Sequence, residues 1–528
     1  MGDHPSDPPD RILRPGETCW RTAHANRFSR IVDGADYLQH VKSAMLRARH
    51  RIMLIGWDFD YRTAFEADNG SLPGPNHLGP FLHWLVWRRS DLDVYVLKSN
   101  LRLLPAFDGF WFGIAPVSLL NRITPSHMHF VVDPAHPPGA VHHQKIVVVD
   151  DTVAFCGGID LTLGRWDTRQ HLGDDPRRKG AGQPYGPRHE VATICDGDAA
   201  RAFGELARER WRAATGEELA PITSRRTNWP PTIEEPLRDV EVGIARTLPA
   251  LAGRPEVREV EALNLAAVAT AKKVIYLENQ YLAARGLAEA LAARLEEPDG
   301  PEIVIVLPRS SESRLEQQSM DSARQRLLRL LWKADSHGRL GVYWPVAAGG
   351  TPIYVHSKVM VIDDRLLRIG SSNLNNRSLG FDSECDVALE AVPGTDVFAA
   401  VTDEIAYARD DLLAEHLGVS VDELRAEVAG QGSFRAAVDT LRTIGRSLRK
   451  FTPTMTSAEA GPLAENDLMD PSSVPESVAQ GLFSLVGGAV LWPVTRLAPQ
   501  AVSTVRSLAD AATALRSVAE SLRDNPDT

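Results

Sequence analysis

The feature that most constrains this chain is a short segment that occurs twice. His143-Gln144-Lys145-Ile146-Val147-Val148-Val149-Asp150 and His356-Ser357-Lys358-Val359-Met360-Val361-Ile362-Asp363 both read His-x-Lys, four apolar residues, aspartate. After six intervening residues each aspartate is followed by a small-residue turn, Gly157-Gly158-Ile159-Asp160 in the first copy and Gly370-Ser371-Ser372-Asn373 in the second. Val/Ile-rich runs closed by glycine read as buried strands. Strand side chains alternate faces, so His143 and Lys145 point one way and His142 the other, and His356 and Lys358 likewise share a face. Asp150 and Asp363 stand at an odd offset from their histidines. They read as structural groups that accept hydrogen bonds from nearby backbone or a basic side chain.

The duplication reaches beyond the motif. Val274–Leu277 lies 222 residues after Ile52–Ile55, Val304–Leu307 lies 210 after Val94–Leu97, and the two histidines are 213 apart. Offsets this close across three strands indicate one duplicated α/β unit. In the first copy Leu38, Val41, Ala44, Met45 and Ala48 have helical period ahead of the strand Ile52–Asp58. A second helix near Leu78–Arg88 precedes the strand Leu92–Leu97, and Phe130-Val131-Val132 leads into the motif. Such alternation implies an α/β fold in two lobes, each with a mixed or parallel sheet flanked by helices. The expected organisation is a flexible leader at 1–17, a first lobe at 18–218, a Pro-rich linker at 219–236, a second lobe at 237–424 and a helical, partly disordered C-terminal region at 425–528.

Composition narrows the class. A net charge of −11 argues against life on nucleic acid, so no specific nucleic-acid partner is expected. The four cysteines, Cys19, Cys156, Cys195 and Cys385, form no CxxC, and Met1–Glu17 has no apolar stretch of the secretory kind. No run of about 20 apolar residues occurs that would cross a bilayer. The chain therefore reads as cytoplasmic, in a reducing compartment, with peripheral attachment on the inner face of the membrane left open.

The doubled segment resembles the HKD signature of the phospholipase D superfamily. Gly158-Ile159-Asp160-Leu161 continuing into Gly164-Arg165-Trp166-Asp167 resembles the phospholipase D branch. Tyr276-Leu277-Glu278-Asn279-Gln280-Tyr281 is similar to that family's Tyr-x-Glu-Asn-Gln-aromatic segment, and Asp382-Ser383-Glu384 to its trailing acidic motif. The resemblance covers residues 18 to 415. It implies two sheets packed pseudo-symmetrically, so that both motifs enter one site acting on a phospholipid.

The resemblance also implies a chemical role for each of these residues. His143 is the expected nucleophile, and His356 the acid that later acts as base. Lys145 and Lys358, with Ser371 and Asn373, are expected to bind the phosphate oxygens. Glu384 is expected to orient His356, and Glu190 to orient His143. Gly157, Gly158 and Gly370 are expected to serve structure. Asp160 stands where the second copy has Asn373, so it is expected on a basic neighbour. No cofactor is implied, and no cluster with metal-ligand spacing is visible. The implied activity is hydrolysis of glycerophospholipids with transfer to alcohols. A phosphatidyltransferase of the cardiolipin synthase type is the nearest rival, and a nuclease is disfavoured by net charge. Oligomeric state is not legible.

Three further stretches carry expectations. Phe107-Asp108-Gly109-Phe110-Trp111-Phe112 is dense in aromatics, which suits a buried turn or a loop meeting lipid. Phe434, Val438, Leu441, Ile444 and Leu448 form one helical stripe with basic neighbours, and Val502 to Leu522 forms another. Gly481–Val494 is apolar but too short to span a bilayer. For the tail, packing on the catalytic body and contact with a membrane surface both remain open.

Overall fold

Two long strands, Arg21–Val32 and Leu237–Leu248, open the two halves and pair antiparallel with each other, Ala23 opposite Val242. From that seam the sheet runs outward by the same plan on both sides. In the first half the order is Val191–Asp196, Val153–Gly157, Ile146–Val149, Arg51–Gly56, Asp93–Ser99 and Met128–Asp133. In the second half it is Glu384–Glu390, Leu366–Gly370, Val359–Ile362, Val274–Glu278, Glu302–Val306 and Leu340–Val346. The halves thus join edge to edge into one sheet of 16 strands among the described residues. This corrects the expectation of two sheets packed against each other. The computed structural model describes residues 11–67, 70–99, 110–111, 115–116, 121, 124–224, 226–233, 237–313, 316–452 and 470–473.

Strand direction follows from the connections. The three outermost strands of the first half are parallel to one another, with the helix Leu78–Arg88 linking the first two. The inner strands are antiparallel and turn tightly at Asp150 and Asp363, whose φ values are 52° and 51°. Aspartate tolerates that left-handed backbone better than most residues. Here it also closes the turn, because Asp150 accepts the N–H groups of Arg49, His50 and Arg51 at 2.7–2.8 Å. Asp363 does the same for Lys272, Lys273 and Val274.

Alternation along the strands splits the core into two layers. Ile55, Ile146 and Val148 pack on one face under Phe203, Leu206 and Trp211 of the helix Gly197–Thr215. Ile52, Leu54, Val147 and Val149 pack on the other with Leu38 and Val41 of the helix Gly34–Met45. The second half repeats the arrangement with the helix Phe398–Leu417 on one face and Glu259–Thr270 on the other. Glycine is required where strands approach too closely for a side chain. A Cβ on Gly157 would lie 2.5 Å from the Ala192 Cα, and one on Gly370 only 1.8 Å from Asp386 Oδ1.

Three expectations change. Residues 11–17 are not loose: Ile12 and Leu13 are buried and donate their N–H groups to the Glu390 carboxylate. The linker is packed as well, with Trp229 buried and Asn228 bonded to Asp150 at 3.0 Å. The stripe from Phe434 is helical only to Leu441, and Ser447–Lys450 is instead an edge strand on Leu340–Val346. Phe434, Val438 and Leu448 are buried, while Arg435, Arg442 and Lys450 all pair with Asp439. A free sheet edge won over helical periodicity there, and this part of the tail lies on the body.

Residues 107–109 and 112 of the aromatic segment, the apolar stretch 481–494 and the expected helix at 502–522 lie outside the described residues. No helix among the described residues is long and apolar enough to cross a membrane.

Candidate active site

Both motifs meet at the seam. Each histidine lies just before its strand, Ile146–Val149 or Val359–Ile362, not within it. What places His143 is the second half: His142 forms a bridge with Ser383, and the His143 N–H donates to the Ser383 carbonyl at 2.9 Å. What places His356 is the first half: Arg188–His189 pairs with Tyr354–Val355, and the His356 N–H donates to the His189 carbonyl at 2.9 Å.

The residues following Ser383 and His189 are Glu384 and Glu190, so the carboxylates are exchanged between halves. Both Glu384 oxygens lie 3.0 Å from His143 Nδ1, and Glu190 Oε2 lies 2.9 Å from His356 Nδ1. This reverses the expected pairing of Glu384 with His356 and of Glu190 with His143. A segment crossing the seam delivers its acid to the opposite half, which a distance along the chain cannot reveal. With each Nδ1 held by a carboxylate, Nε2 is the nitrogen left for chemistry. Among the described residues neither Nε2 takes a hydrogen bond.

The two half-sites differ in their lysines. Lys145 Nζ donates to the His143 carbonyl and sits 3.0 Å from Asp160, which also accepts the N–H groups of Trp57 and Asp58. Lys358 Nζ donates to the His356 carbonyl and to Gln280 Oε1 at 3.1 Å, with no carboxylate bonded to it among the described residues. Burial pulls Lys358 down to about 7, against the attraction of Glu190. Lys358 is therefore the ammonium whose charge a bound anion would most stabilise.

Burial, reinforced by the lysines, holds both imidazoles well below the ordinary histidine value. Burial likewise raises Glu384, against hydrogen bonds from Ser371 and Ser378, and raises Glu190, against Arg188 and Arg165. The site thus favours neutral imidazoles, and a proton held on Nδ1 by the carboxylate leaves the lone pair on Nε2.

Ser371 was expected at the phosphate. Its hydroxyl instead donates to Glu384 and accepts the Cys385 N–H at 3.0 Å, so it fixes the carboxylate. Asn373 is 5% exposed, and its Oδ1 accepts no hydrogen bond among the described residues. At Gly158 an added Cβ would lie 3.2 Å from both Glu190 Oε2 and the His356 carbonyl. Sequence reasoning did not single out Gln280, Ser378, Arg165 or Arg188. Gln280 and Arg165 lie inside the stretches that carried the family resemblance, which was the available signal.

Residues 265–406 match the family described as cardiolipin synthase, PLD-like domain, which includes the second motif. Phospholipase D1 of Schizosaccharomyces pombe is 24% identical over 75% of this chain and 35% of its own length. Phospholipase D alpha 4 of Arabidopsis thaliana is 22% identical over 78% of this chain and 67% of its own. These likenesses support the phospholipase D superfamily. This chain spans about a third of the length of the Schizosaccharomyces pombe enzyme. Among solved structures, phosphatidylserine synthase of Haemophilus influenzae aligns at 14% identity with a TM-score of 0.49, over 80% of this chain and 96% of that one.

Proposed function

We propose that this protein is a phospholipase D-type phosphodiesterase. It cleaves glycerophospholipids to phosphatidic acid and the free headgroup alcohol, and transfers the phosphatidyl group to alcohols when they are present. The observation that carries the reading is the exchanged pair of buried histidine–glutamate contacts, His143 with Glu384 and His356 with Glu190. It supplies two oriented imidazoles for one phosphodiester, beside two lysines.

In the first step His143 Nε2 attacks phosphorus and the bond from phosphorus to the headgroup oxygen breaks. His356, as imidazolium, gives that oxygen its proton. The phosphodiester's own negative charge offsets the burial that holds the His356 imidazole neutral, so that proton is taken up with substrate. Lys145, Lys358 and Asn373 hold the non-bridging oxygens. In the second step neutral His356 takes a proton from water or an alcohol, the new oxygen bonds to phosphorus, and the P–N bond breaks. Both histidines return to their starting state. His143 is assigned as nucleophile from the family resemblance; its side chain is also the more open, 16% against 7% exposed. The enzyme works at a membrane surface, on the cytoplasmic side.

Product analysis tests the reading. Vesicles of phosphatidylcholine should yield phosphatidic acid and choline, and added ethanol should divert product to phosphatidylethanol. Turnover of phosphatidylglycerol to a diphosphatidyl product, with none from water, would replace hydrolysis with the transferase reading suggested by the matched family's description. Cleavage of single-stranded DNA without lipid turnover would overturn both.

A further inference from the structure

Behind Glu190 lies a second constellation that the proposed chemistry does not use. Asp33 at the end of the first strand, His171 from the loop after Asp167, His189 and Glu415 of the helix Phe398–Leu417 are all buried. Their donor atoms lie within 4.8 Å of one another. His171 Nε2 is 3.1 Å from Glu415 Oε1 and 3.3 Å from Asp33 Oδ2. His189 Nδ1 is 3.1 Å from the same Glu415 oxygen and 3.3 Å from Asp33 Oδ1. Bonds of about 2.0–2.1 Å to a tetrahedral zinc ion place ligand atoms about 3.3 Å apart, close to these four separations.

The surroundings point the same way. The other nitrogen of each histidine is bonded to a further buried carboxylate, His171 Nδ1 to Asp167 and His189 Nε2 to Glu278, both at 3.0 Å. Metal-binding histidines are typically oriented in this manner, which sets both the tautomer and the ring angle. Asp33 is 1% exposed, and its Oδ2 accepts no hydrogen bond among the described residues although it faces the cluster.

We propose that Asp33, His171, His189 and Glu415 form a closed structural site for a divalent transition metal of the zinc type. The ligand set, two imidazoles and two carboxylates without thiolate, suits zinc in four-coordination. Three ligands come from the first half and Glu415 from a helix of the second, so the ion clamps that helix across the seam. It also fixes the strand end that orients His356: the His189 carbonyl accepts the His356 N–H, and the Glu190 N–H donates to Asp33 Oδ1 at 3.1 Å. The ion is therefore a positioning element for Glu190, with no part in the bond changes.

The test uses the full chain purified without metal-affinity steps, loaded with Zn2+ and passed through gel filtration. Elemental analysis should find about one zinc per chain, with at least a tenfold loss in His171→Asn and in Glu415→Gln. Cobalt loading of the wild-type chain gives a readout independent of any variant, since a four-coordinate site shows intense visible bands. Retention of zinc equal to that of the variants would overturn the proposal. So would an imidazole 15N spectrum showing His171 and His189 protonated at both nitrogens in the presence of Zn2+, which would make the constellation a hydrogen-bonded ionic cage.

Discussion

Replacing Glu384 by glutamine should disable the histidine of the opposite half. Both oxygens of Glu384 lie 3.0 Å from His143 Nδ1, and Ser371 and Ser378 donate to the same carboxylate. In Glu384→Gln an NH2 group must occupy one of those two oxygen positions. It then meets Nδ1 as a donor, which favours the proton on Nε2 and removes the lone pair needed for attack. Loss of such an orienting partner costs about 10- to 100-fold, or roughly 1.4–2.7 kcal/mol of barrier at about 1.36 kcal/mol per tenfold. The assay is stopped-flow release of p-nitrophenolate from a short-chain phosphatidyl p-nitrophenyl ester, whose leaving group needs no protonation. Glu384→Gln should slow the burst by that factor. Glu190→Gln should leave the burst close to wild type and slow only the later steady state, because His356 acts there as base. A slowed burst in Glu190→Gln with an unchanged one in Glu384→Gln would refute both the exchanged pairing and the assigned roles.

Lys358 is held near 7 by burial, so in the free enzyme it loses its charge as pH rises through that value, and kcat/KM should fall on the alkaline side. Lys358→Arg, which stays charged, should remove that limb, and an unmoved limb would assign it elsewhere. Asp150→Ala strips the acceptor from three backbone N–H groups and leaves alanine at φ 52°. Urea unfolding should show a loss of about 3 kcal/mol. Asp386→Ala leaves the buried Arg368 without its carboxylate and should cost about 3–5 kcal/mol by the same measurement.

Much of the fold was legible because its signals are local and repeated. The strands at 52–55, 94–97, 274–277 and 304–306 stand where their apolar runs predict, and closely matched offsets announced the duplication. The exchange of Glu190 and Glu384 was hidden, since it depends on which strand end crosses the seam. Ser371 looked like a phosphate ligand because turn chemistry says nothing of a carboxylate arriving beside it. The stripe from Phe434 kept helical phase through Leu448 by coincidence, while the unpaired edge of Leu340–Val346 decided the outcome. Gln280 and Glu278 were visible only as members of a recognised segment, because a buried hydrogen bond such as Gln280 to Lys358 joins residues 78 apart.

The central claim is a covalent intermediate on His143, and it can be read directly. His356→Ala, mixed with the p-nitrophenyl ester, should release one equivalent of p-nitrophenolate and then stall, for want of a base. Alkaline quench and peptide mass spectrometry should place the phosphatidyl adduct on the peptide containing His143. An adduct on the His356 peptide of His143→Ala, or no adduct in either variant despite release of the leaving group, would contradict the account.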